Sequence, residues 1–121
     1  FPSFDCIKHK SFNFALRVVK LYQFLNQEKK EYVLSKQLLR SGTAIGALVR
    51  EAEQAESKLD FIHKLAIAQK EANETDYWLE LLFQSEYLNE TQFQSLKKDI
   101  VEINKISASI IITTKQRIGK K

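Results

Sequence analysis

Apolar residues recur along the chain at helical spacing in four stretches. Ile7, Phe14, Val18, Leu21 and Leu25 fall on one face, at intervals of seven, four, three and four. This predicts a first helix over about residues 7–26, preceded by Pro2, which ends any helix near the start. Phe12, Leu16, Val19 and Phe24 widen the apolar band beyond one packing seam, which suits either a broad core or a subunit contact. A polar run at 27–31 breaks the pattern. Leu34, Leu38, Ser41, Ile45, Leu48, Ala52 and Ala55 then alternate four and three apart and predict a second helix over 32–56. Gly42 and Gly46 lie inside it at a cost of about 1 kcal/mol each relative to alanine. The periodicity runs through them, so the helix continues and the glycines permit close helix approach; a helix split there is the alternative.

Ser57 suits an N-cap, with Asp60 three positions on in a capping-box-like arrangement. Phe61, Leu65, Ala68, Ala72, Thr75, Leu79 and Leu82 make a heptad stripe for a third helix over 58–87. Asn89 or Thr91 caps a fourth helix over 92–117, with Phe93, Leu96, Ile100, Ile103, Ser107 and Ile110 as its stripe. The β-branched run 110–114 has no pairing partner elsewhere and stays helical. Gly119 ends the helix, leaving Lys120 and Lys121 disordered. Long helices with short connections favour antiparallel neighbours. The fold class is therefore all-α, an antiparallel up-down-up-down four-helix bundle forming one domain over 1–121.

Composition agrees with that pattern. The 121 residues, 44% of them apolar, suffice for one core, and three Gly and one Pro leave few sharp turns. Cys6 is alone, which excludes an intrachain disulfide and suits a reducing, cytoplasmic setting. No apolar run approaches the ~18 residues of a membrane span and no signal peptide is visible, so no membrane partner is expected.

Charge adds more. Residues 1–50 hold nine Lys/Arg against three Asp/Glu, net +6; residues 51–102 hold five against twelve, net −7; residues 103–121 hold five against none, net +5. Such segregation marks a polyanion-binding surface, or lets helices or subunits select neighbours by complementary charge, or is a solvated surface without a role. Lys8, Lys10, Arg17 and Lys20 give the first helix a basic side, Lys36 and Arg40 extend it onto the second, and Lys115, Arg117, Lys120 and Lys121 gather at the end. Arg17, Lys20, Lys36 and Arg40 are the candidate nucleic-acid contacts. Lysines and arginines without an aromatic-basic signature bind phosphates and carry no base specificity.

Catalytic and metal motifs are missing from the sequence. There is no Gly-rich phosphate loop, no Cys-x-x-Cys and no His-Glu-x-x-His. His9 and His63 lack the Glu-x-x-His partners of a di-iron bundle. No arginine has a histidine at the spacing of an Arg-x4–6-His ribonuclease. Glu71, Glu74 and Trp78 share a face, where the two carboxylates read as surface charges or as partners of a basic neighbour, Arg40 above all. Arg40 and Glu51 share a side of the second helix and each suits an opposite charge on the third. No catalytic residue, metal or cofactor is expected.

The stretch 39–53 (LRSGTAIGALVREAE), followed by 57–82 (SKLDFIHKLAIAQKEANETDYWLELL), resembles the four-helix bundle proteins encoded within intervening sequences of large-subunit ribosomal RNA genes, the S23-like family. Phe14 and Ala15 fit as well. The resemblance implies a small cytosolic bundle of no settled function that assembles as a homo-oligomeric, pentameric ring. It also implies kinship with the accessory protein of diversity-generating retroelements, a basic barrel that works with a reverse transcriptase and nucleic acid. Ala44 and Leu48 depart from the pattern, where Ser and Asn are usual. Arg40, Glu51, Asp60, Phe61, Glu71, Glu74, Tyr77 and Trp78 match it and read as mainly structural. The leading expectation is a non-enzymatic oligomeric bundle that binds RNA or DNA electrostatically, with a protein partner also open. The rival is a protein-interaction or structural scaffold whose basic residues meet the acidic third helix of a neighbouring subunit.

Overall fold

A computed structural model describes residues 3–119. Four helices follow in order: α1 (Phe4–Gln27), α2 (Leu34–Glu53), α3 (Lys58–Gln84) and α4 (Glu90–Gly119). The expectations for Pro2, Lys120 and Lys121 fall outside the described residues. No helix among them is long and apolar enough to cross a membrane.

The contacts fix the arrangement. Lys8 meets Glu53 while Val18 lies against Gly42, so α2 descends as α1 rises. Glu51 meets Lys64 and Arg40 meets Glu74, reversing direction again. Asp76 meets Lys97, and Phe83 stacks on Phe93 at 4.6 Å, which reverses it a third time. Each helix packs on its two neighbours in the cycle α1-α2-α3-α4, and the diagonals do not pack backbone to backbone. The bundle is thus antiparallel, up-down-up-down.

The apolar stripes line its centre. All five first-helix stripe residues are buried, with Ser11 filling the vacant heptad position and returning its hydroxyl to the Lys8 carbonyl. On α3 every stripe residue from Leu65 to Leu82 is buried, while Phe61 at the end is half-buried against Phe4. Two stripes shift by one residue. Val49 is buried and Leu48 only partly so, and on α4 Ile106 and Ile111 are buried where Ile110 is partly so. An undistorted helix drifts about 20° per heptad from a strict 3.5 repeat, so a stripe moves sideways along its length.

The chain runs unbroken through Gly42 and Gly46, and the reason is proximity. A Cβ on Gly42 would lie 2.8 and 2.9 Å from the Val18 methyls, and one on Gly46 would lie 3.2 Å from the Ser11 carbonyl oxygen. The glycines let α1 and α2 approach.

Caps place the ends. Ser57, extended at φ −154°, accepts the Asp60 amide at 3.0 Å, and the Asp60 carboxylate accepts the Glu56 amide. Because Ser57 is extended, α2 stops at Glu53, short of the predicted 56, its end tightened by i→i−3 bonds from Gln54 and Ala55. Asn89, not Thr91, caps α4: its side chain accepts the Gln92 amide and the Gln92 side chain accepts the Asn89 amide. This box starts α4 at Glu90, two residues before the predicted start. Helix α3 ends at Gln84 rather than 87, because Glu86 turns left-handed (φ 71°). The Glu86 and Tyr87 amides then return to the Phe83 and Leu82 carbonyls as a Schellman motif.

The first connection is the least expected. Lys30 is left-handed (φ 54°) and swings Glu31 under the start of α2. The buried Glu31 carboxylate accepts the amides of Val33, Leu34 and Ser35 at 2.7–3.0 Å. Burial alone would raise its pKa; those three amides outweigh it and hold the group below its ordinary value. Glu31 is therefore the anion at the helix N-terminus, and α2 begins at Leu34, not 32.

Candidate nucleic-acid interface

The four candidate cations sit on the paired helices α1 and α2, and the structure divides them. Arg17 faces α4, donating to Asp99 Oδ2 at 2.6 Å and to Ser95 Oγ at 2.8 Å. Arg40 faces α3 and bridges Glu71, at 3.1 Å, and Glu74. Lys20 and Lys36 are exposed on the outer surfaces of α1 and α2, and neither joins an ion pair among the described residues. The structure thus turns Arg17 and Arg40 to opposite flanks of the α1/α2 pair.

The wider basic side of α1 behaves as Arg17 does. Lys8 reaches Glu53 on α2 at 2.7 Å, and Lys10 pairs with Glu102 on α4. Hydrogen bonding to Glu102 raises the Lys10 pKa and lowers that of Glu102. Lys97 on α4 grips Asp76 on α3, and Lys64 on α3 meets Glu51 on α2 at 3.3 Å. All four seams carry such bridges. Charge segregation along the sequence therefore resolves largely into selection of neighbouring helices within the chain. These pairs are partly or fully exposed, so each contributes little to stability and more to register.

The α2/α3 seam gathers most of the residues that matched the family pattern. The Trp78 indole donates to Glu74 Oε2 at 3.1 Å, and Tyr77 sets its ring edge-on to Trp78 at 5.0 Å. The indole bond and then Arg40 lower the Glu74 pKa, while Glu74 raises that of Arg40. Below them Thr75 donates to buried Ser41 at 2.9 Å. Ala44 and Leu48 lie on the same helix, Leu48 partly buried against the core.

Two surfaces escaped the sequence reading in part. Of the surplus apolar band on α1, Phe12, Leu16 and Val19 remain 50%, 48% and 37% exposed, while Phe24 packs on the core. The three form one row at spacings of four and three. A groove of about 800 Å³ adjoins it, apolar near Phe12, Ala15 and Gly46 but charged farther along at Lys8, Glu51, Asp60 and Lys64, with Arg50 over the Phe12 ring at 5.7 Å. The second is a groove of about 570 Å³ between α3 and α4, with Gln69, Asn73 and Asn104 in its wall. The long α3 and α4 stripes signalled the packing beneath it, but not the amides alongside.

The chain matches the model of the 23S rRNA-intervening sequence proteins over residues 6–109. It belongs to that family. A crystal structure of an S23 ribosomal protein family member from Bacteroides thetaiotaomicron, described as a protein with unknown function, shares 59% identity with it. The match covers 89% of this chain and 96% of that one, with a TM-score of 0.88. No curated protein matches the chain.

Proposed function

We propose that this intervening-sequence protein is a non-enzymatic, self-assembling bundle that binds nucleic acid through its phosphates. The observation that carries the proposal is the exposed apolar row on α1. Three large apolar side chains in line beside a groove are what a subunit contact leaves on an isolated chain. A ring of five is the number the family resemblance implies. Assembly multiplies every free cation, so that a net charge of +4 per chain becomes a broad positive field. Of the four candidate cations, Lys20 and Lys36 are exposed and outside any ion pair among the described residues.

The non-enzymatic reading draws on the carboxylates. Glu71 and Glu74, the best candidates for an acid/base pair, hold Arg40, and the lowered Glu74 pKa moves it away from the near-neutral value such catalysis favours. His9 and His63 are exposed on different helices, and the described residues hold no group of three His, Cys, Asp or Glu suited to a metal.

Sedimentation with and without structured RNA tests the proposal. The parent should sediment as an oligomer at micromolar concentration, and Phe12→Ser/Leu16→Ser should dissociate it. Loss of multivalency should then weaken RNA binding ~100-fold or more. A monomeric parent refutes assembly, and a dimer refutes only the number five. The intrachain pairing of Arg17 and Arg40 removes two candidate phosphate contacts and favours a scaffold without nucleic acid, though not through pairing with a neighbouring subunit's third helix; a parent that assembles but ignores RNA and duplex at low salt would support it.

A further inference from the structure

We infer that the outer face of α4 is the surface that receives the nucleic-acid backbone. The inference rests on the reading above and locates its site. From residue 95 to 119, α4 carries two acids, Asp99 and Glu102, and both are neutralised by α1 through Arg17 and Lys10. Lys98 and Lys105 lie seven positions apart on the face turned away from α1 and α3. Both are exposed, and neither is ion-paired among the described residues. Exposed Lys115 and Arg117 continue the charge toward the end of the helix. Segment 103–119 has no acid at all.

The surroundings favour nucleic acid among polyanions. Val101 and Ile112 are exposed on this side, eleven positions apart, too little apolar surface to anchor the helix in a membrane. The α3/α4 groove lies beside Lys105, and its one acid, Asp76, is held by Lys97 at 2.6 and 2.8 Å. Its amides, Gln69, Asn73 and Asn104, supply hydrogen bonds suited to sugar and phosphate oxygens. The Asn73–Asn104 bond is long at 3.4 Å, so the Asn104 amide N–H group is only weakly held. Competition points the same way. Lys20 follows Val19 and lies one turn beyond Leu16, so assembly through the apolar row crowds it.

The test compares Lys98→Gln/Lys105→Gln with Lys20→Gln/Lys36→Gln on a short DNA duplex across a salt series, each variant first confirmed folded by circular dichroism. Both remove the same charge, which controls for net electrostatics. The α4 variant should flatten the log affinity against log salt slope by about 1.8 per engaged subunit, two phosphates at ~0.9 each, and the α1/α2 variant should keep the parent's slope. If the parent binds and the α4 variant keeps its slope, or both variants flatten it alike, the α4 site is wrong and the wider reading survives. A parent that does not bind duplex or RNA at low salt, or binds only phosphatidylserine vesicles, overturns both.

Discussion

Gly42→Ala separates two opposed effects at the α1/α2 contact. Alanine is the better helix former by about 1 kcal/mol. The added methyl, however, would lie 2.8 and 2.9 Å from the two γ-carbons of buried Val18, closer than side-chain carbons sit. Overpacking a filled core costs about 1–3 kcal/mol. The net expectation is destabilisation by about 1 kcal/mol. Val18→Ala alone leaves a cavity and destabilises by about 2 kcal/mol. In that background the closest remaining Val18 atom is its Cβ, at 3.3 Å, so the same Gly42→Ala change relieves the cavity and keeps its propensity gain. Its sign should reverse to stabilising, giving a coupling of about 1–3 kcal/mol. Urea unfolding of the four proteins, followed by far-UV circular dichroism at one protomer concentration, measures the cycle; the fixed concentration matters because assembly adds concentration-dependent stability. A Gly42→Ala effect equal in both backgrounds, or a more stable single variant, would refute the close-approach account.

Three further outcomes follow from individual contacts. Glu31→Gln should destabilise by about 1.5–3 kcal/mol, as a buried carboxylate bonded to three amides loses its charge. Since folding lowers the Glu31 pKa, its contribution is full above the ordinary glutamate value of about 4.3 and is lost as pH falls through the folded value; the gap between parent and variant should close on acidification. Glu86→Gly should stabilise by about 1 kcal/mol, because glycine takes the left-handed turn without the cost a side chain carries there, and an unchanged melting midpoint would contradict the Schellman assignment. Ser107→Ala should be neutral or stabilising by up to about 1 kcal/mol in chemical unfolding, since its buried hydroxyl has no hydrogen-bond partner; a loss of more than that would mean a partner exists.

The helices were legible because burial is periodic, and α3 shows this best: its stripe from Leu65 to Leu82 is buried residue for residue. Local caps were legible where a short polar side chain precedes a helix, as at Ser57. Arg40 was legible too, since its register on α2 matched Glu71 and Glu74 on the next helix. Glu31 was hidden because a carboxylate at the end of a polar run looks like surface, and only the left-handed turn at Lys30 brings it beneath α2. The end of α3 was hidden because Glu86 adopts a conformation that glycine usually marks. The basic side of α1 looked like one surface because two of its partners, Asp99 and Glu102, lie more than 80 residues away in sequence, and Glu53, the partner of Lys8, lies on the next helix. Pairings at that distance depend on topology, which periodicity does not encode. The exposed row Phe12, Leu16 and Val19 was visible as surplus, but its place outside the core required the packed bundle.

The most direct test of the central claim is the salt dependence of parent binding to two unrelated DNA duplexes and a structured RNA. Phosphate contacts supplied by free lysines predict tight binding at low salt and a straight, negative log–log slope that is nearly the same for both duplexes. A flat slope, a strong preference between the duplexes, or no binding at low salt would contradict it.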